Sequence, residues 1–460
     1  MSFTANIDEV VAENRNNLLG KHPAWKRVRL KEVAAILNGF PFESERFNKS
    51  GGTPLIRIRD ILHGSTDTYY DGDFNSTFLV KRGEILIGMD GDFHCEPWSG
   101  EPALLNQRVC KITPDESRYA KQFLRYVLPG YLSAINAQTP SVTVKHLSSR
   151  TIADIPLPLP PLPEQRRIVS EIEKQFTCLE SGITALRRVQ ANLKRYRAAV
   201  LKAACEGKLV PTEVELHQQR KSENLKPETG AELLTRILTE RRQNWQGRGK
   251  YVVPAAPDLG KLGQTPVGWV WANIGQIADV GTGATPNRGK SEYYSSGKIP
   301  WVTSGCVNKP RVDEAKEFVT TRALEQCNLT IYPRGTLLLA MYGEGKTRGM
   351  ASELGIEATT NQALAAIQTP GTIRGFIRVV LWKNYEDVRK SASGGVQPNL
   401  NLSIVRAIPV PLPPLAEQTR IVAEVERRLS VVEELEAMVS ANLQRTTRLR
   451  QAILQKAFAI

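Results

Sequence analysis

IPLPLPPLPEQRRIVSEIE, residues 155–173, returns 253 residues later as IPVPLPPLAEQTRIVAEVE, residues 408–426. Identity at most positions, prolines included, exceeds what composition alone produces, so the chain carries an internal duplication. The prolines from Pro156 to Pro161 exclude helix and are unsuited to a central strand. They predict an extended, polyproline-like junction. A helix follows at once, with Glu164 in the first turn, where its charge meets the exposed amide end. Apolar residues then step by three and four through Ile168, Ile172, Phe176, Leu179, Ile183, Leu186, Val189, Leu193, Tyr196 and Val200. The second copy repeats the stripe through Ile421, Val425, Leu429, Val432, Leu435, Val439, Leu443, Leu449 and Ile453. Each helix spans about 40 residues, roughly 60 Å. Neither stripe is stable in water alone. The simplest solution packs the two helices on each other, and their equivalent positions in a duplicated chain predict an antiparallel coiled coil. That would give a rod with one globular unit near each end. Separate packing of each helix on another protein is the alternative.

The repeat extends outward from these segments. Lys81-Arg82-Gly83-Glu84-Ile85-Leu86-Ile87-Gly88-Met89 resembles Pro333-Arg334-Gly335-Thr336-Leu337-Leu338-Leu339-Ala340-Met341, Asn106-Gln107 resembles Asn361-Gln362, and Trp25 resembles Trp269. Each half thus holds a divergent unit followed by a well-matched segment. The divergent units have short apolar strands after glycine turns (Glu84 to Met89, Thr336 to Met341) and helices over Phe123 to Leu132 and Thr372 to Tyr385. Between the halves, the polar run from Val210 to Pro227 reads as loop, and Ala231 to Trp245 as a short amphipathic helix. The expected fold is α+β: two mixed β-rich globular units joined by two long antiparallel helices, with pseudo-two-fold repetition. The expected divisions are an N-terminal segment 1–24, a first unit 25–154, a central region 155–268, a second unit 269–407 and a C-terminal region 408–460.

Composition limits the function classes. The 460 residues carry 61 Lys plus Arg against 47 Asp plus Glu, a net charge of +14. That excess suits a polyanionic partner such as duplex DNA, though a basic solvated surface would produce it too. The six cysteines are scattered without a CxxC pair, which argues against structural zinc and for free thiols in a reducing compartment. The polar start MSFTANIDEV does not look like a signal peptide, and no run approaches the ~20 apolar residues of a membrane span. A cytoplasmic protein with no membrane association is expected. No catalytic constellation recurs at a diagnostic spacing. Gly343-Glu344-Gly345-Lys346-Thr347 resembles part of a phosphate loop but lacks its full form. Asp90, Asp92 and His94 have no equivalent in the second half, so a loop is preferred to a metal site, and no metal is expected. A solitary methyltransferase would need a [DNS]PP[YFW]-like tetrad, whereas Pro-Pro occurs here only within Leu-Pro-Pro-Leu.

The doubled IPxPLPPLxEQxxIVxExE motif, together with Arg197 to Ala204, Glu206-Gly207-Lys208-Leu209 and the Glu232 to Trp245 helix, resembles the specificity subunits of type I restriction–modification systems. The resemblance spans almost the whole chain. It implies that each divergent unit is a target recognition domain reading one half of a split DNA sequence. It implies that the long helices act as a ruler and dock two methyltransferase subunits, which hold S-adenosylmethionine and methylate adenine. Two ATP-dependent (and so Mg-dependent) motor and restriction subunits would join for cleavage, while the specificity subunit itself has no active site and no cofactor. In the family the two chain ends lie close together. A coiled-coil protein-interaction adaptor without sequence-specific DNA binding remains the rival reading.

Base-reading residues do not carry over by motif, because these domains diverge. From chemistry alone the DNA-binding candidates are Arg57 and Arg59 (read as one strand face, alternating with Ile56 and Ile58), Arg108, Arg288, Lys290, Lys346 and Arg348. Asn106 and Gln107, which recur as Asn361 and Gln362, point to a structural role instead. The scaffold motif is assigned to Glu164, Gln165, Glu417 and Gln418. The coiled-coil positions are Ile172, Phe176, Leu179, Leu186, Leu193, Leu429, Val432, Val439, Leu443 and Ile453.

Overall fold

The structure, a computed structural model, describes residues 3, 6–13, 22–140, 144–220, 228–246, 249–342, 347–391 and 400–459. The chain divides into two units, one formed by Met1–Arg187 with Ser440–Ile460 and the other by Arg188–Val439. Both dividing points fall inside the long helices, Leu162–Cys205 and Leu415–Ala459, so each unit holds a piece of both.

In unit 1 a four-stranded antiparallel sheet runs in the order Ala34–Asn38, Val109–Pro114, Ile85–Gly88, Cys95–Pro97. In unit 2 the order is Asp279–Thr282, Leu364–Gln368, Leu337–Ala340, Ala351–Leu354, with Arg311–Val312 added in parallel at the edge. The first four strands correspond one to one, so the duplication is one of topology as well as sequence. Gly83 and Gly335 enter the equivalent strands Ile85–Gly88 and Leu337–Ala340 at φ 87° each, a backbone region that favours glycine. The strands themselves are wholly apolar and buried on both faces. The predicted helices over 123–132 and 372–385 are present as Lys121–Gln138 and Arg374–Ser391. The units differ in their second sheets. Unit 1 has five short strands and unit 2 has three.

Two local readings change. The proline-rich junctions are strands, not free polyproline segments. Pro156–Leu159 pairs antiparallel with Lys26–Arg29, and Pro409–Leu412 with Val270–Asn273. The physical reason is that each ribbon has only two strands. Both are edges, so alternate prolines without N–H groups are tolerated while Leu157, Val410 and Leu412 turn into the core. The polar run after Val210 also contains a helix, Glu213–Arg220, opened by Thr212, whose side chain accepts from Glu215 N. The amphipathic helix predicted to end at Trp245 is Gly230–Gln243, with a capping box between Thr229 and Glu232.

Within each unit the long helices pair antiparallel. In unit 1 the Arg450 guanidinium lies 4.8 Å from the Phe176 ring and pairs with Glu180, while Phe458 reaches the core that holds Ile168 and Ile172. The N-terminal helix Ile7–Glu13 places Val11 in that same core, so both ends of the described chain meet there. In unit 2 Arg197 pairs with Glu433 at 2.8 Å, and Leu201 and Leu429 share a core cluster. Ile172, Leu429, Val432 and Val439 are buried; Phe176, Leu179, Leu186, Leu193, Leu443 and Ile453 are half-buried. Val189, Tyr196, Leu435 and Leu449, read as part of the stripes, are exposed. A two-helix seam covers a narrow strip, and a stripe of period near 3.5 drifts around a straight helix.

Candidate DNA interface and its scaffold

The repeated Glu-Gln pair sits at the start of each long helix, and both glutamines are fully buried. Gln165 Oε1 accepts from Ala120 N at 2.7 Å, and its Nε2 donates to Arg118 O at 3.0 Å and Pro160 O at 2.8 Å. It therefore ties the proline junction to the entrance of the helix Lys121–Gln138. Gln418 Nε2 donates to Pro413 O at 2.9 Å, but its Oε1 has no partner among the described residues. Glu417 compensates. Its Oε1 accepts from Trp269 Nε1 at 2.9 Å and its Oε2 from Glu213 N at 3.0 Å. Burial pushes its carboxyl above the ordinary glutamate range, partly opposed by those two donors and Arg420. Its counterpart Glu164 is half-buried with Arg167 4.0 Å away, and the buried Trp25 Nε1 has no partner among the described residues. The buried Gln165, Glu417 and Gln418 tie the start of each long helix to the chain packed on it, while Glu164 faces Arg167 of its own helix.

The DNA-binding candidates fall in several places. Arg57 and Arg59 are both exposed, but not on a strand. The strand stops at Ile56, Arg57 precedes a short 3-10 turn, and Arg59 lies within it. The turn forms because the Asp60 carboxylate accepts from Arg57 N, capping the reversal. Arg59 is engaged with Asp67 at 2.7 Å. A hydrogen bond from Lys49, helped by Thr68 and the charge of Arg59, holds the Asp67 carboxyl down at about 2. Arg288 is spoken for as well. It pairs with Glu317 and lies 5.1 Å and 4.9 Å from the Tyr294 and Trp301 rings, a stack that fixes a loop of the three-stranded sheet. Lys290 sits 5.4 Å from the Tyr293 ring. Arg348 is half-buried in the loop after Leu337–Ala340, and Lys346 lies outside the described residues, as does the whole Gly343 to Lys346 segment.

Arg108 stands apart. It is exposed on the turn Asn106–Val109, and two residues that sequence reasoning left unassigned or read as plain loop surround it. His146 Nδ1 lies 2.6 Å from Asp90 Oδ1, and Asp90 Oδ2 lies 3.8 Å from Arg108 Nε. Asp90 had a visible signal, as an acid beside the repeated strand. His146 had none, because only folding brings it within reach. Asn106 has the structural role inferred from the recurrence of the pair, whereas the Gln107 side chain is exposed. Asn106 is buried and its side chain accepts from Gln107 N.

The type I restriction modification DNA specificity domain matches this chain twice, over residues 23–186 and 266–439. The chain belongs to the type I restriction modification DNA specificity family. The EcoBI specificity subunit of Escherichia coli is 35% identical over 468 residues, an alignment that takes in 100% of this chain and 90% of that subunit. The EcoDI specificity subunit, also of Escherichia coli, is 25% identical over 452 residues, covering 95% and 89%. Among solved structures, the HsdS subunit from Thermoanaerobacter tengcongensis superposes with a TM-score of 0.51 at 17% identity, covering 95% of this chain and 97% of that one. A chain from a structure concerned with assembly and conformational transition of the type I R-M system gives 0.62 at 18%, covering 95% and 98%. At that identity the likeness establishes the fold. This specificity subunit is thus a non-catalytic α+β protein with two target recognition domains, one in each unit. No helix among its described residues is long and apolar enough to cross a membrane.

Proposed function

We propose that this subunit, acting in the cytoplasm, reads a two-part DNA sequence with unspecified base pairs between the halves, one half per recognition domain. The observation that carries the reading is the duplicated architecture. One scaffold of sheet, proline ribbon and long helix is built twice under two different second sheets, as two readers on one frame require. The net charge of +14 supplies the counterpart to the phosphate backbone. The long helices dock two methyltransferase subunits, which bind S-adenosylmethionine and methylate adenine, and two motor and restriction subunits that use ATP and Mg join them. Among the candidates, the exposed Arg57 and Arg108 suit base or phosphate contacts; Arg59 and Arg288, held by acidic partners, serve their own loops first.

The test is modular exchange. Residues 25–154 are replaced by the matching domain of a related specificity subunit, and methylated bases are mapped in cells that supply the same methyltransferase subunits. One half of the methylated motif is expected to change and the other to persist, because base readout is local. Both halves changing together in assembled complexes would end the two-reader model. A motif without a gap would do the same.

A further inference from the structure

The two domains contain the same turn, built the same way and used differently. In unit 1 Val109 N donates to Asn106 O at 3.2 Å and Met89 N to Arg108 O at 2.8 Å. In unit 2 Leu364 N donates to Asn361 O at 3.2 Å and Met341 N to Ala363 O at 2.8 Å. Arg108 and Ala363 are therefore structural equivalents. Arg108, however, has φ 73°, in the left-handed region that favours glycine, whereas Ala363 is not among the residues with positive φ. The scaffold does not impose the strain, since the second copy closes the same hydrogen bonds without it. A long charged side chain occupies the third position of a turn that glycine would fill more readily.

The surroundings of Arg108 show what the strain accomplishes. The Arg108 side chain is 55% exposed, while that of Asp90 behind it is 24% exposed and that of His146 29%. The short Nδ1 to Oδ1 contact makes His146 the donor to Asp90. Arg108 Nη1, 3.4 Å from that same Nδ1, then finds no acceptor there, so this donor stays available to an outside partner while Nε faces Asp90. Backbone bonds fix the acid and the histidine. Gly91 N donates to Lys145 O at 3.0 Å and Leu147 N to Met89 O at 2.7 Å. On the other side of the turn, Gln107 N donates to Phe40 O, which ties the turn to the chain at Phe40. A carboxylate behind, held by a histidine, with the planar fork presented forward, is how an arginine is pre-organised for the O6 and N7 edge of guanine.

We propose that Arg108 is the residue with which the first recognition domain reads a guanine of its half-site, with Asp90 and His146 as positioning residues. The second domain, with Ala363 at this place, reads by other side chains. This assignment rests on the reading that unit 1 contacts DNA sequence-specifically. The test uses the full chain assembled with its methyltransferase subunits. The two-part motif is first mapped from methylated bases, and binding is then measured on duplexes altered one base pair at a time. Arg108→Gly removes the side chain and suits the left-handed backbone, so the fold is kept. Its preference for G·C is expected to fall by ~10- to 100-fold at one position of one half-site, with the other half-site unchanged. Asp90→Asn should weaken preference at that same position by about tenfold or less. Unchanged preference in Arg108→Gly, in a complex that still reads a two-part motif, overturns the assignment and leaves the DNA reading standing. Uniform weakening across all duplexes also overturns it, by showing a phosphate contact. A wild-type complex with no two-part preference overturns the DNA reading and this assignment together.

Discussion

The same Glu-Gln pair opens both long helices, yet the two copies anchor in opposite ways. In unit 1 the glutamine does the holding. Gln165 makes three hydrogen bonds, while Glu164 faces Arg167 near the surface. In unit 2 the glutamate does it. Glu417 is buried between Trp269 and the start of the helix Glu213–Arg220, while Gln418 makes one bond and leaves an oxygen unpartnered among the described residues. The difference traces to the chain that follows the first long helix. Gly207, at φ 66°, turns it back against Trp269, Leu209 and Val210 pack on the same core cluster, and Glu213 N reaches Glu417. Identical residues thus acquire different roles because different chain covers them.

Truncating the two glutamines would break this comparison most sharply. Gln165→Ala leaves a part-buried amide and two carbonyl oxygens without this partner and is expected to cost about 3 kcal/mol. Gln418→Ala removes one bond together with an unpartnered oxygen and should cost ~1 kcal/mol. Denaturant unfolding of the full chain measures both, and equal losses would show that the two anchors are equivalent after all.

A smaller effect separates the tryptophans. Trp269→Phe deletes the donor to Glu417 and should cost ~1–2 kcal/mol, whereas Trp25→Phe deletes an N–H with no partner among the described residues and should be close to neutral. A larger loss at Trp25 than at Trp269 would reverse the assignment of the glutamate as the anchor of unit 2.

The smallest effect is a pH slope. Burial raises the Glu417 carboxyl, so the folded state holds that proton more tightly than the unfolded chain does. The stability it contributes is fully present below the ordinary glutamate value and is lost as pH rises through the raised folded value. Glu417→Gln cannot ionise. The stability of the wild type relative to this variant should therefore fall with rising pH across that window, in paired thermal denaturation series. A difference that stays flat would show that the buried carboxyl ionises as it does in the unfolded chain.

The sequence by itself determined the duplication, the two long helices, the strand–turn pairs at Gly83 and Gly335 and the recurrence of the Asn-Gln pair. Each of these depends on local periodicity or on residues whose backbone preferences are strong wherever they stand. It also carried enough doubled motif to point to the family. Only the tertiary structure decided that the proline junctions are paired strands, because a two-stranded ribbon has no central strand for proline to disrupt. The reading of Arg57 and Arg59 as a strand face failed for a similar reason. A single carboxylate, Asp60, capped a turn where alternation alone predicted extension. Asp90, Arg108 and His146 are spread over 56 residues of sequence, and no periodicity links them. Their meeting is set by the long-range contacts of one loop cluster, and such contacts are a property of the folded chain.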